Sequence, residues 1–301
     1  MSASITCLVD ARATVGESPV WDAATDSLYW VDIIAGKLSR ITLGADLTGR
    51  TMQSWTLPAA IGSLGLCPDG RLLVALPYGV HYFDPATEAL TLLVDPEPGM
   101  DTNRLNDGKM GPDGAFWVGS MDDRPTGKQP IAALYRVTPD GKAEKKIDQV
   151  TVSNGLAWSA DGKTLFHSDS RGIWLDRWDF DAATGAISNR LRIATPDEAT
   201  GRPDGGACDA EGFYWSCGVS AGRLNRFAPD GTIVETIPLP VPAPTMPCFG
   251  GRDLRTLFFT SLRAGLAAEK LEAAPLSGGL FMMQMPVAGA PLARFGEPLR
   301  F

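Results

Sequence analysis

Ser153-Asn154-Gly155-Leu156-Ala157-Trp158-Ser159-Ala160-Asp161-Gly162-Lys163-Thr164-Leu165-Phe166-His167 reads as a strand, a tight turn and a second strand. Leu156 and Trp158 alternate with smaller residues, Asp161-Gly162 supplies the turn, and Leu165-Phe166 opens a new apolar run. The same pattern recurs in Asn106-Asp107-Gly108-Lys109-Met110, leading through Asp113-Gly114 to Phe116-Trp117-Val118. It recurs again in Asp204-Gly205-Gly206-Ala207-Cys208, leading through Glu211-Gly212 to Phe213-Tyr214-Trp215. In each copy the polar residue that opens the first strand lies seven positions before the acidic turn residue.

Carried along the chain, this register picks out Glu17, Gly62, Asn106, Asn154, Asp204 and Met246, spaced by 45, 44, 48, 50 and 42 residues. About a dozen positions after each comes a large side chain, Trp30, Trp117, Phe166, Trp215 or Phe258; only the second copy lacks it. Each copy goes on with a second pair of strands, such as Gly79–Asp84 and Ala133–Val137, several ending in turns such as Pro139-Asp140-Gly141. Four short strands per unit of roughly 40–50 residues is the pattern of a propeller blade. The expectation is an all-β, six-bladed β-propeller occupying residues 1–301 as one domain. Residues 4–9 alternate like one further strand that would complete the last blade and close the ring. The stretch 264–274 is rich in helix formers and reads as a loop insertion in the sixth unit.

The bulk properties narrow the function. Hydrophobic residues make up 44% and charged residues 21%, as in ordinary globular chains. A net charge of −8 and the absence of any basic run argue against nucleic acid. No apolar stretch is long enough to span a bilayer, so no membrane is expected. Five scattered cysteines without a CxxC pair fit a reducing compartment, and the start Met1 to Cys7 lacks a leader pattern. A cytoplasmic enzyme is the expectation; the oligomeric state is not readable.

In a propeller the first strands of all blades line one channel, and equivalent positions meet at one mouth. Glu17, Asn106, Asn154 and Asp204 should therefore converge. An Asn or Asp at a strand end often does no more than bond local backbone. Two carboxylates and two amides at one register of a ring are costly to bury unless a cation pairs with them. Oxygen donors without sulfur or imidazole suit calcium, magnesium or manganese, with zinc or iron also open. Gly62 and Met246 cannot ligate strongly and leave a side open for substrate.

Gly16-Glu17-Ser18-Pro19-Val20-Trp21, Asn103-Arg104-Leu105-Asn106-Asp107-Gly108-Lys109, Ser153-Asn154-Gly155 and Pro203-Asp204-Gly205, with Cys248-Phe249-Gly250-Gly251 near the end, form an ordered set over nearly the whole chain. The set resembles the motifs of the regucalcin/gluconolactonase (senescence marker protein, luciferin-regenerating enzyme) family. That resemblance implies one divalent metal ion held by Glu17, Asn154 and Asp204, substrate contacts from Arg104 and Asn106, and hydrolysis of a sugar lactone. It also places Asp122 and Asp123 where relatives often carry a carboxylate facing the substrate.

The chemistry agrees with the residue types. A metal with open positions polarises an ester carbonyl and lowers the pKa of bound water. Asp204 is the candidate base, and Arg104 offers a fork of donors for hydroxyls or a developing carboxylate. His81 and His167 sit inside strands away from the register and read as structural, and no G-x-S-x-G elbow is present. Two other readings stay open: a non-catalytic propeller that binds a ligand or partner, and a propeller that hydrolyses other esters or phosphotriesters.

Overall fold

The computed structural model describes residues 4–44, 47 and 50–301; residues 1–3, on which the reading of the leader partly rests, lie outside them. Among the described residues the strands form six four-stranded antiparallel sheets. Five are consecutive in sequence, entered by Gly16–Asp22, Ser63–Leu66, Asn103–Met110, Ser153–Trp158 and Pro203–Cys208. The sixth begins at Pro244–Gly250, continues through Thr256–Ser261 and Leu280–Gln284, and takes Thr6–Val9 as its outer strand. Thr6 stands opposite Met282 and Cys7 opposite Phe281. The N-terminal strand therefore closes the ring, and the protein is a six-bladed β-propeller.

Six hydrophobic clusters fill the six gaps between neighbouring blades. Leu8, Trp21 and Trp30 meet Phe258 and Leu280 between the last blade and the first, while Trp117 meets Leu156 and Trp158 between the third and fourth. Each sheet is apolar on both faces because each is covered on both, so the entry strands are buried almost throughout. The large residues of the repeat, Trp30, Trp117, Phe166, Trp215 and Phe258, are all buried. The stretch 264–274 holds a short helix, Ala268–Ala273, between the second and third strands of the sixth blade, with none of its residues buried.

Residues 285–301 form a strap across the channel end opposite the blade-opening residues. Gly289 N–H bonds Leu254 O in the sixth blade, Ala290 N–H bonds Cys208 O in the fifth, and Phe295 N–H bonds Leu66 O in the second. Gly296 and Leu299 donate to Gly114 O and Pro112 O in the third. Arg294 bonds Asp22 of the first blade and Cys67 O of the second. Phe301 packs over Gly162 of the fourth. The strap thus touches every blade and acts as a second closure beside the N-terminal strand. Phe295, 5% exposed and edge-on to Tyr82, is its main apolar anchor. Phe295→Ala is expected to lower unfolding free energy by about 3 kcal/mol. A urea or thermal melt within roughly 1 kcal/mol of the parent would show that the strap adds nothing to the core.

Candidate functional site

Five of the six entry strands lose ladder register at or just beyond the opening residue: between Glu17 and Val20, Leu105 and Gly108, Asn154 and Ala157, Pro203 and Gly206, and Pro244 and Pro247. A bulge bends the strand and re-aims a side chain that the regular pleat would place against a neighbouring sheet. Local backbone makes it. Gly155 has φ +69°, and a Cβ there would run into Ser168 Oγ and Tyr214 Oη, so Asn154 must be followed by glycine. Ser18, after Glu17, holds φ +48°; its Oγ accepts Leu64 N–H of the second blade at 3.0 Å.

The side chains so aimed form a hydrogen-bonded arc over three blades. Arg104 Nη1 donates to Asn106 Oδ1 at 2.9 Å. Asn106 Nδ2 donates to Ser153 O at 2.9 Å and to Asn154 Oδ1 at 3.2 Å. Asn154 Nδ2 donates to Ser170 Oγ at 2.7 Å, and that hydroxyl donates to Pro203 O at 2.5 Å, one residue before Asp204. The amide orientations follow from these partners, and they leave Asn154 Oδ1 with a lone pair for a further ligand.

Glu17 and Asp204 complete the ring from the first and fifth blades. Glu17 is buried and its Oε2 accepts only Ser18 N–H, at 2.7 Å. Among the described residues no N–H or O–H donates to Asp204, which keeps part of its surface open. Burial pushes the Glu17 carboxyl well above the usual carboxylate range, and the Asp204 and Asp107 charges push it further. Asp204 is raised in the same way, by burial and then Asp107, with Arg202 opposing. Two converging carboxylates, one with a single donor and one with none, are the environment a divalent cation relieves. Among the described residues no three His, Cys, Asp or Glu side chains gather closely enough to hold a metal, and Asn154 Oδ1 is a further oxygen at this mouth. The donor set therefore fits a hard ion.

Asp122 does not join this group. It is fully buried, and its carboxylate accepts Arg124 N–H at 3.1 Å, Gln129 N–H at 2.6 Å and the Arg124 guanidinium. These bonds hold it well below the usual range and make it the anchor of the loop that follows. Its neighbour Asp123 is the carboxylate that meets Arg104, at 3.1 Å. His81 Nδ1 pairs with Gly79 O and His167 Nε2 with Ser153 Oγ, the second pair bracing the residue before Asn154. Burial, with a smaller push from Arg190, drives the His167 imidazole down to about 3, so it stays neutral.

Three neighbours of the candidate site were given no role in the sequence analysis. Ser170, in the turn after the fourth blade's second strand, bonds Asn154. Asp107 and Lys109 lie buried below the mouth, Asp107 accepting Leu156 N–H at 3.1 Å and Lys109 Nζ donating to Gly206 O. Two opposite charges two residues apart on a strand otherwise buried were the signal available for that pair. A cavity of about 260 Å³ lies at the strap end, lined by Val20, Trp21, Leu64, Phe249 and Leu292. Lys109, Arg252 and Arg294 also line it, and among the described residues no carboxylate does.

Comparison with known proteins places the same residues in a family. Residues 15–263 match the model of the SMP-30/Gluconolactonase/LRE-like region. The chain is 37% identical to a 6-deoxy-6-sulfogluconolactonase of Pseudomonas putida over 99% of each chain. It is 34% identical to regucalcin of Gallus gallus, over 96% of this chain and 97% of that one. A calcium-binding protein, regucalcin, from Agrobacterium tumefaciens superposes with a TM-score of 0.89 at 28% identity, covering 98% and 97% of the two chains. The match spans the four blades that supply Glu17, Asn106, Asn154 and Asp204, and the chain belongs to the SMP-30/gluconolactonase/LRE-like family.

Proposed function

We propose that the protein hydrolyses a sugar lactone to the open aldonic acid, with one divalent metal ion held by Glu17, Asn154 and Asp204. The observation that carries this reading is the convergence of two under-hydrogen-bonded carboxylates with Asn154, beside the Arg104 guanidinium that Asn106 Oδ1 holds in place. The names of the lactonase relatives support the substrate class. A cytoplasmic setting is supported by five free cysteines, four of them buried.

When bound, such an ion would polarise the carbonyl and acidify a water molecule. Asp204 takes a proton from the attacking water as the water oxygen bonds the lactone carbon. The ring C–O bond then breaks, and the leaving oxygen recovers the proton from Asp204. Arg104, held by Asp123 and by Asn106, presents its remaining N–H groups to sugar hydroxyls or to the carboxylate that forms. Glu17 carries the second negative charge that fixes the ion's position.

The test is a panel of aldonolactones, assayed after chelation and with calcium, magnesium, manganese, zinc or iron restored, against spontaneous opening in the same buffer. Turnover above background that depends on metal supports the reading. No turnover with any lactone would make a binding propeller the better one. Arg104→Ala separates the roles further: kcat/KM should fall about tenfold or more while metal content stays at the parental value. Metal lost along with activity would move Arg104 from substrate contact to support of the metal site.

A further inference from the structure

The chain is acidic overall, yet basic groups gather above one side of the mouth. The loop after Asp122, which carries Lys128, and the turn after Asp169, which carries Arg171, are joined through Thr151, whose carbonyl accepts Asp122 N–H and whose N–H donates to Asp169; Arg104 reaches the first loop through Asp123. Both loops are nailed down by buried carboxylates. Asp122 accepts the N–H groups of Arg124 and Gln129, and its own carbonyl receives Lys128 Nζ at 2.5 Å. Asp169 accepts the N–H groups of Thr151 and Val152, and those of Arg171 and Gly172 at 2.8 and 2.9 Å. Arg171 follows Ser170, the residue bonded to Asn154, so its side chain starts beside the candidate metal donors.

Among the described residues neither Lys128 nor Arg171 has a carboxylate partner within 4.0 Å. Asp123 is bonded to Arg104 and acts favourably on Lys128. Burial is the largest penalty on the Lys128 ammonium; Asp123 and Asp122 favour its charge, and Arg104 and Arg171 make smaller opposing contributions. On the fifth-blade side Arg202 lines a groove with Asp197 and Glu198 and acts on the Asp204 carboxylate. Like charges held together on anchored loops cost free energy that an anion relieves.

We infer that Lys128 and Arg171 form a subsite for a negatively charged group, a carboxylate, phosphate or sulfonate, at the end of the substrate remote from the lactone carbonyl. The inference rests on the lactonase reading for the identity of the molecule; the charge preference stands on the cations alone. Arg104 and Asn106 then face the sugar ring, and the two outer cations set which sugars are accepted.

The experiment compares kcat/KM for neutral glucono-1,5-lactone with that for glucarolactone, 6-phosphogluconolactone and a 6-sulfonated gluconolactone, at low and high salt. The anionic lactones should be favoured about tenfold or more at low salt, and the preference should shrink as salt rises. The rank among the three identifies the anion. Arg171→Gln and Lys128→Gln should each reduce the anionic-to-neutral ratio about tenfold. A parental ratio near one, or a ratio unchanged in both variants, overturns the subsite. If no lactone turns over, calorimetric titration with gluconate and 6-phosphogluconate decides. Preferential binding of the phosphorylated acid, lost in Arg171→Gln, keeps the subsite and sinks only the lactonase reading. Equal or absent binding sinks the subsite.

Discussion

Asp204→Asn is expected to lower lactone turnover by more than about 100-fold with metal at saturation, beyond the lower end for loss of a general base. Asparagine keeps the shape and one oxygen ligand but cannot take a proton. The same change should have the opposite sign on stability when metal is stripped by a chelator. In the metal-free protein the Asp204 charge raises the cost of ionising Glu17 inside the mouth. Asparagine removes that repulsion and offers an N–H to Glu17, so the metal-free variant should melt above the metal-free parent. An inactive variant that is also less stable without metal would point to a structural lesion instead. Near-parental turnover would remove Asp204 as the base. Because lactones open spontaneously, both rates must be read against buffer containing the same metal.

The register that identifies Asp204 was legible because a propeller repeats one hydrophobic and turn pattern per blade, and any polar departure at a fixed offset stands out. Glu17, Asn106, Asn154 and Asp204 are such departures, and the structure brings their strands to one mouth. The closing strand Thr6–Val9 was legible for the same reason, as alternation without a partner in its own unit. Asp122 and Asp123 mark where this logic stops. Adjacent residues at a strand end point to opposite sides, and the one that enters the loop cannot be told from the one that meets Arg104 without the local register. Ser170 was hidden because a serine in a turn carries no periodic signature. The strap was invisible because residues 285–301 make their bonds with backbone of distant blades, which neither a period of two nor a period of 3.6 encodes.

Asn154→Ala carries the other large effect, on metal rather than on chemistry. The fold should survive it. Asn106 Nδ2 keeps Ser153 O, Ser170 Oγ keeps Pro203 O, and Leu156 and Trp158 stay packed, so the lost bonds should cost only about 0.5–1.5 kcal/mol. The ion, in contrast, would lose the one neutral oxygen among three donors and be left with two carboxylates, from the first and fifth blades. Removing an outer-shell partner of a metal site typically costs about 10–100-fold in affinity, and removing a ligand should exceed that. Metal content after dialysis should therefore fall to a small fraction of the parent's, while the far-ultraviolet spectrum and the metal-free melting temperature stay close to parental. Added metal at high concentration should restore part of the activity, since Asp204 is untouched. Parental metal content in this variant would show that Asn154 does not ligate the ion, and that its bonds to Asn106 and Ser170 only stiffen the mouth.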